Sequence, residues 1–434
     1  MRPLDFIHAY DWHNLPPQVR LQAELGVLDL LGVAAGGHGT ELSRIIRDHV
    51  VEMFGGTAPM LFDGRKASPV GVALATGMMI DALDGHDGYN PSKGHVGCVL
   101  LPAILAAVPD ANTDGAAFMA TVAMGYEFGS RVAVAQHSTV ADYHSSGSWG
   151  AVVAAAAMAR MLGYDIETTR HALGIAEYHG PRSQMMRCID HPTMLKDGSG
   201  WGTMAGVSAA LLAAKGFTGA PAITVEDAPE YWSDLGNRWL ILEQYFKPYP
   251  VCRWAHAGVD GVLNLRATYG LTSDQVDHIA VDTFHEAVRL ATSRPRNTEE
   301  AQYSTSFPAA VAMVRGRVAP GDIADGALGD PEILRLSEGF KMTETQIANA
   351  RFPAERLARV TLVLNSGERL VGEYLNPKWD HRKPATEAEL RAKFHDLAEP
   401  VLGAERATRI ETALHEMPKT GLQPLTDQLF APIS

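Results

Sequence analysis

Residues 151–159 contain only alanine, valine and one methionine, and they follow a polar, glycine-rich stretch without any spacer. Alanine is the best helix former, and its small side chain lets neighbouring helices approach closely. A helix that is apolar on every side is buried among other elements. Ser145, Ser146 and Ser148 precede the run as candidate N-caps, so the sequence predicts a central helix over 148–162.

Most of the chain up to about residue 245 has the same helical character. Apolar residues at helical spacing, separated by short glycine and proline breaks, predict helices over 16–35, 70–83, 99–108, 116–135 and 202–215. Several of these segments are apolar almost all round, which is typical of central helices. The many alanines and the 16 methionines favour a closely packed helical interior.

The pattern changes after the proline-rich break at 247–250. Residues 278–284 and 359–364 alternate between apolar and polar side chains, as strands do. Residues 365–368 predict a tight turn, and 369–374 predict the strand that pairs back. This part of the chain therefore contains a small antiparallel sheet.

Helical patterns also occur among and after these strands, at 309–315, 331–336, 387–397 and 406–415. The fold class that follows is mainly α, with a smaller α+β domain inserted into a large all-helical one.

Charge and composition limit the partners of this protein. The formal net charge of −13 argues against nucleic acid and anionic membranes. No apolar run reaches the ~20 residues that a membrane span needs, and the N-terminus lacks a signal-peptide pattern. Three cysteines without a CxxC spacing argue against a disulfide framework or a structural zinc site. We therefore expect a cytoplasmic protein with neither nucleic-acid nor membrane partners.

Tyr143 and His144 stand directly before the start of the alanine helix. A single histidine in this position is more often structural than catalytic. Here serine and glycine surround it, and a helix start presents free backbone N–H groups to an anion. The segment therefore predicts a site in which His144 exchanges protons with a small anionic molecule.

A second group of candidates is acidic. Asp81, Asp84 and Asp87 lie close together with His86, and His95 follows a short loop. These carboxylates either orient His95 or form a solvated helix end. No HExxH or EF-hand spacing supports a metal, so we predict no metal site.

Cationic candidates occur in three further places. Lys196 precedes a glycine-rich loop that lacks the strand and the spacing of a nucleotide site, so we expect it to pair with a carboxylate or to donate a proton. Arg253 and His256 lie at the junction between the predicted domains, where sites often form. Arg182 and Arg187 lie upstream of Lys196 and add to the cationic lining.

The candidate groups are histidine, lysine, arginine and carboxylate, and no nucleophile or cofactor motif accompanies them. Proton abstraction from a carbon next to a carboxylate needs a base, cations for the developing charge and a second acid. The inventory therefore favours general acid–base chemistry on a small carboxylic acid without a cofactor.

Six segments, in order along the chain, resemble the MmgE/PrpD family, which includes 2-methylcitrate dehydratase, cis-aconitate decarboxylase and iminodisuccinate epimerase. They are Asp84-Gly85-His86-Asp87, His95-Val96-Gly97 through Pro102, Tyr143-His144 with the glycine–alanine run behind it, Thr193-Met194-Leu195-Lys196, Lys247 to His256, and Glu300-Ala301-Gln302-Tyr303-Ser304. Each segment is short, but their shared order along most of the chain makes the resemblance specific.

The resemblance implies the organisation of the whole chain. A large helical domain over 1–249 would be completed by 385–434, and a lid domain would occupy 250–384. The resemblance further implies a homodimer and a cofactor-independent site between the domains. The family's site falls on five residues of this chain, namely Asp84, His95, His144, Lys196 and His256.

The resemblance also suggests roles for these residues. His144 would be the acid or base nearest the reacting carbon, opposed by His95 and Asp84, with Lys196 stabilising an enolate-like state. Substrate carboxylates would be bound by the remaining candidates, which are His256, Arg253, Tyr143, Asp87 and Arg187.

Four positions depart from the family pattern. Ser145 and Val96 stand where many members have proline, and Ser199 stands where a histidine is common. Phe307 replaces a tyrosine that is important in the decarboxylase branch. These departures leave the identity of the substrate open.

Together the residues and the resemblance predict a lyase that removes water from a hydroxy-polycarboxylate of the 2-methylcitrate type. One alternative is an epimerase or racemase in which His144 and Lys196 act on opposite faces of a small dicarboxylate. The others are a cis-aconitate-type decarboxylase and a non-catalytic protein that binds carboxylates.

Overall fold

A computed structural model describes residues 1–111 and 114–433 of the chain. The protein is mainly α-helical and carries a small mixed sheet, so the predicted fold class is confirmed. Among these residues, no helix combines the length and the apolar character that crossing a bilayer requires.

Helices dominate the first half of the chain. They are α1 (Pro3–Ala9), α2 (Pro17–Gly37), α3 (Glu41–Met53), α4 (Pro69–Asp81), α5 (Gly97–Ala107), α6 (Gly115–Thr139), α7 (Ser146–Met161), α8 (Ile166–His179), α9 (Met185–Asp190) and α10 (Ser199–Ala213). A short hairpin of β1 (Ala58–Pro59) and β2 (Lys66–Ala67) lies between α3 and α4. The helices predicted in this half are confirmed.

The second half alternates helices with strands before it returns to helices. Its elements are α11 (Ile223–Glu226), α12 (Arg253–Tyr269), β3 (Val276–Thr283), α13 (His285–Val288), α14 (Thr298–Gln302), α15 (Ser306–Arg315), α16 (Pro331–Glu338), β4 (Lys341–Glu344), α17 (Gln346–Asn349), β5 (Arg359–Leu364), β6 (Arg369–Val371), α18 (Glu387–Leu402), α19 (Ala404–Thr420) and α20 (Gln423–Leu429). Short 3-10 turns connect several of them.

The sheet has the strand order β4-β3-β5-β6. The predicted strands β3, β5 and β6 are present, and β5 and β6 form the expected antiparallel pair. Strand β4 was not predicted, because its four residues are mostly exposed and show no apolar alternation. It pairs parallel to β3 at the edge of the sheet.

Apolar side chains form two large cores. One core joins the helices of the first half to α18, α19 and α20 through residues such as Phe394, Ile410 and Leu414. The other core lies between the sheet and α12, α15 and α16. The chain thus leaves the helical core near 250 and returns to it near 390, while the domain boundaries at 249/250 and 384/385 stay a prediction.

Ion pairs attach the returning helix α18 to α2. The Lys393 ammonium lies 2.6 Å from the Asp29 carboxylate, which is fully buried, and the Arg391 guanidinium lies 3.0 Å from Glu24. Lys393 also donates to the backbone carbonyl of Gly85 at 2.7 Å. The C-terminal helices therefore support the loop that follows α4.

Helices α7 and α10 pack backbone against backbone at their N-terminal ends. A Cβ atom added to Gly202 would lie 2.2 Å from the carbonyl oxygen of Gly147, and one added to Gly147 would lie 2.2 Å from that of Gly198. Glycine at both positions is what allows this approach. The contact fixes how the segments before the two helices meet.

We expect Gly202→Ala to destabilise the fold by about 2 kcal/mol, because the new methyl group overlaps a backbone carbonyl that cannot rotate away. Thermal and denaturant unfolding would measure this loss. Gly39→Ala is the matched control, since a Cβ at Gly39 meets no atom within 4 Å. Equal effects of the two substitutions would contradict the account of the contact.

Candidate active site

A cavity of about 750 Å³ opens beside the starts of α7 and α10. His144, Lys196 and Arg187, three of the predicted site residues, line it, and Arg182 joins them. Its volume lies in the range of small-molecule sites. His179 and Asp142 line the cavity as well. The two arginines and the lysine outnumber this one carboxylate, which makes the cavity suitable for an anion that exchanges a proton with a histidine.

The ring of His144 is held by the chain just before it. Its Nδ1 atom lies 2.8 Å from the carbonyl oxygen of Asp142. A carbonyl only accepts hydrogen bonds, so Nδ1 carries the hydrogen. In the neutral ring, Nε2 then has a free electron pair and can accept a proton.

Lys196 reaches the same cavity from the loop before α10. Its backbone is left-handed, with a φ of 51°, and its side chain is buried. The ammonium donates to the side-chain oxygen of Gln302 and lies 4.8 Å from the centre of the Tyr303 ring. Gln302 is itself fixed, because its amide donates to the carbonyl of Ala82 at 2.9 Å. These contacts fix a buried ammonium on a residue that lines the cavity.

Asp84 lies in a second buried cluster, where its carboxylate is 2.5 Å from the ammonium of Lys247. Lys247 also donates to the backbone carbonyl of Asp84 at 2.8 Å. Burial alone would lower the pKa of Lys247, but Asp84 and Tyr245 outweigh it and leave that pKa raised. The lysine is therefore charged at neutral pH, and the other carboxylate oxygen of Asp84 has no partner within the described chain.

His95 belongs to the same cluster. Its Nδ1 donates to the carbonyl of Asp87 at 2.5 Å, and its ring meets that of His86 edge to face at 4.4 Å. Burial, together with His86 and Lys247, holds the pKa of His95 well below its ordinary value. The ring is therefore neutral at pH 7, and its Nε2 atom carries a free electron pair.

Asp197 connects the two groups of residues. Its carboxylate accepts from the backbone N–H of Ser146 at 3.2 Å and also from the Ser146 hydroxyl. The same hydroxyl accepts from the backbone N–H of His95 at 3.0 Å. Burial and the charge of Asp81 raise the pKa of Asp197 to about 7. One carboxylate thus holds the start of α7 and, through Ser146, the backbone of His95.

In two predicted binding residues, the polar groups form hydrogen bonds with other residues of the protein. The Tyr143 hydroxyl donates to the carbonyl of Lys93 at 2.5 Å. The Asp87 carboxylate accepts from the Tyr126 hydroxyl and from the backbone of Gly97 at 3.3 Å. Burial raises the pKa of Asp87 to about 6. The structure therefore places both polar groups in internal contacts and not on the cavity.

Arg253 and His256 lie on the first turn of α12 and are also enclosed. The Arg253 guanidinium donates to the carbonyls of Phe246 and Lys378, at 3.1 and 2.8 Å. Nε2 of His256 lies 3.0 Å from the carbonyl of Val251. Neither residue lines the cavity that holds His144. The arginine fixes the junction between the two cores.

Several residues of the site were not among the predicted ones. Lys247 stood in a recognised segment, but nothing in the sequence indicated its pairing with Asp84. Arg356, from the segment before β5, lies buried with its guanidinium 5.8 Å from the Tyr245 ring and donates to Asn90. Its charge helps to lower the pKa of His95. Its only sequence signal is a single arginine beside a proline-containing turn.

Within residues 1–111 and 114–433, no three histidine, cysteine, aspartate or glutamate side chains converge in an arrangement that would hold a metal ion. The absence of a metal and of a cofactor in the reaction stays a prediction.

Comparisons with known proteins agree with the order of motifs along the chain. Residues 4–229 match the MmgE/PrpD N-terminal domain, and residues 249–417 match the MmgE/PrpD C-terminal domain. A cis-aconitate decarboxylase-like protein, oryM, of Aspergillus oryzae is 24% identical over 92% of this chain and 90% of its own length. A cis-aconitate decarboxylase of Aspergillus terreus is 22% identical over 85% of this chain and 83% of its own length.

The raised pKa of Asp197 predicts a pH-dependent contribution to stability. Because its pKa of about 7 lies above the value of about 3.9 in an unfolded chain, the folded protein binds this proton more tightly. That contribution is complete below pH 4 and is lost as the pH rises through 7. Relative to Asp197→Asn, the wild type should therefore lose stability between pH 4 and pH 8 in calorimetry. A difference that is constant over this range would contradict the assignment.

Proposed function

The chain belongs to the MmgE/PrpD family, and from this we propose a lyase that acts on a small di- or tricarboxylic acid by cofactor-independent general acid–base catalysis. One observation carries the proposal. The free Nε2 atom of His144 and the ammonium of Lys196 share a cavity that Arg182 and Arg187 also line. A base, a buried cation and two guanidinium groups are what proton removal next to a carboxylate requires.

The leading reaction is loss of water from a hydroxy-polycarboxylate. His144 takes the proton from the carbon next to a carboxylate, and the charge that develops on that carboxylate is stabilised by Lys196 and Arg187. The C–O bond then breaks, a carbon–carbon double bond forms, and the hydroxyl leaves as water with the proton that His144 has taken from the carbon. His95 and Asp84, which the family resemblance suggests as the opposing pair, lie in the neighbouring buried cluster and do not line this cavity, so they take no direct part in this step.

Decarboxylation is the second candidate, and the names of the two Aspergillus relatives favour it. In that reaction the bond to a carboxylate breaks, carbon dioxide leaves, and a protonated residue supplies a hydrogen to the carbon. Phe307 argues against decarboxylation, because it stands in place of the tyrosine of the decarboxylase branch and has no hydroxyl to donate. Its ring is fully buried in the core between the sheet and α12, α15 and α16. The same cavity serves both reactions.

A panel of acids distinguishes the reactions. The purified protein would be incubated with 2-methylcitrate, citrate and cis-aconitate in the presence of a chelator, and the products followed by NMR in deuterated water. Loss of water supports the hydro-lyase, release of carbon dioxide supports the decarboxylase, and deuterium uptake without net product supports an epimerase. Binding of these acids without any reaction would contradict an enzyme of this kind.

We expect His144→Ala and Lys196→Ala each to lower turnover at least ~100-fold, because each removes a proton-transfer or charge-stabilising group from the cavity. Steady-state kinetics on the reactive acid would measure the loss. His13→Ala and Lys215→Ala are matched controls, since both residues are exposed and neither lines the cavity. Full activity in either site variant would remove that residue from the mechanism.

We also propose a homodimer that uses the apolar surface beside the cavity. Leu195 and Trp201 are 69% and 43% exposed, and Tyr178, next to the cavity-lining His179, is 78% exposed. Leu195 and Trp201 also line the cavity, so a second subunit on this surface would cover its opening.

Sedimentation velocity should therefore show a dimer for the wild type and a monomer for the double variant Leu195→Glu, Trp201→Glu, because burying two carboxylates at an apolar interface is unfavourable. The exposed pair Met53→Glu, Ile347→Glu, which lies elsewhere on the surface, is the control and should remain dimeric. A monomeric wild type would contradict the proposal.

Localisation in the cytoplasm is a further proposal. Cys98, Cys188 and Cys252 are all unpaired and buried, as thiols are in a reducing compartment. The net charge of −13 argues against nucleic acid and anionic membranes as partners. The proposed partners are small carboxylic acids and a second copy of the chain.

A further inference from the structure

Ser145 occupies the N-cap of α7, directly after His144. A serine at this position usually accepts a hydrogen bond from a backbone N–H of the first turn. The Ser145 hydroxyl makes no such bond. Asp197 takes over the capping, because its carboxylate accepts from the N–H of Ser146 and its carbonyl accepts from that of Gly147, both at 3.2 Å. The Ser145 hydroxyl is therefore not needed to cap the helix.

The Ser145 hydroxyl has no partner elsewhere in the part of the chain that the structure describes. Ser145 is only 4% exposed, so its hydroxyl makes little contact with bulk water. A buried polar group without a partner is unfavourable, and such groups are rare in folded proteins. A hydroxyl of this kind beside a cavity is available to bond an atom of a ligand.

The position of this hydroxyl is fixed. The backbone N–H of Ser145 donates to the carbonyl of Ser183 at 2.9 Å, which ties the start of α7 to the far side of the cavity. Ser145 lines the same cavity as His144 and Lys196. A neutral hydrogen-bond donor thus stands next to the base and among three cationic side chains.

We propose that Ser145 is a specificity-determining residue whose hydroxyl donates a hydrogen bond to an oxygen of the bound carboxylic acid. The inference rests on the proposed function, in that it takes the cavity to bind such acids. Lysine and arginine side chains attract any carboxylate, whereas a single fixed hydroxyl selects for an oxygen at one place. That oxygen belongs either to a carboxylate or to a hydroxyl substituent of the acid.

Two probes distinguish these sources. Tricarballylate and citrate differ by one hydroxyl group, and calorimetry would measure the dissociation constant of each for the wild type and for Ser145→Ala. Loss of one hydrogen bond to a ligand oxygen should weaken binding about tenfold. If both acids are weakened, the partner is a carboxylate oxygen. If only citrate is weakened, the partner is its hydroxyl group.

Ser148→Ala is the matched control on the same helix. The Ser148 hydroxyl already has a protein partner, since it accepts from the Gln136 amide at 2.7 Å. Removing it should lower the melting temperature and leave binding of both acids within twofold. Ser145→Ala should do the reverse, with an unchanged or higher melting temperature and weaker binding. Ser145→Gly removes the same hydroxyl together with the Cβ atom and should match Ser145→Ala in binding.

The inference is overturned if Ser145→Ala and Ser145→Gly bind both acids as tightly as the wild type does, or if Ser145→Ala lowers the melting temperature as Ser148→Ala does. Failure of the proposed function has a different signature. A wild type that binds the acids but converts none of the panel fails as an enzyme, while the Ser145 comparison still stands. A wild type that binds neither probe overturns both.

Discussion

The site depends on the contact between the N-terminal ends of α7 and α10, where the backbones touch at Gly147 and Gly202. His144 precedes one helix and Lys196 precedes the other, so the contact brings a base and a cation into one cavity. It also places Asp197 where its carboxylate can cap α7. Small residues along both helices are therefore a requirement of the chemistry as well as of the packing.

Burial then sets the charge of each group. Removing a charged side chain from water favours its neutral form, and a nearby opposite charge reverses this effect. His95 has no carboxylate bonded to its ring, so burial and its cationic neighbours keep it neutral. Lys247 is buried even more deeply but lies against Asp84, and it stays charged. The same surroundings thus supply a neutral base and a protonated amine a short distance apart.

Local patterns in the sequence were enough to predict most of the fold. The apolar runs of α4, α5 and α7 identify central helices because almost every position is buried. The short, exposed strand β4 has no such signal, and its place is decided only by pairing with β3. The apolar pattern therefore identifies helices and strands whose own side chains are buried. It misses an exposed strand whose position is set only by pairing with a neighbouring strand.

The site was predictable to a smaller degree, and for a related reason. Residue type and order pointed to His144, Lys196 and Arg187, which the structure brings to one cavity. The pairing of Lys247 with Asp84 joins residues far apart in the chain, and no local pattern encodes it. Arg253 has the right chemistry for a carboxylate, but backbone carbonyls occupy its guanidinium. Only the fold decides which of two similar cations is available to a ligand.

The central claim is that a small carboxylic acid binds between Lys196 and Arg187 with a carbon atom facing Nε2 of His144. A crystal structure of the protein with tricarballylate, which has no hydroxyl group to lose, tests this most directly. The account predicts a ligand carboxylate within hydrogen-bond distance of the Lys196 ammonium and a methylene carbon opposite the His144 ring. Tricarballylate bound in another cavity, or a His144 ring that turns Nδ1 towards the ligand, would contradict it.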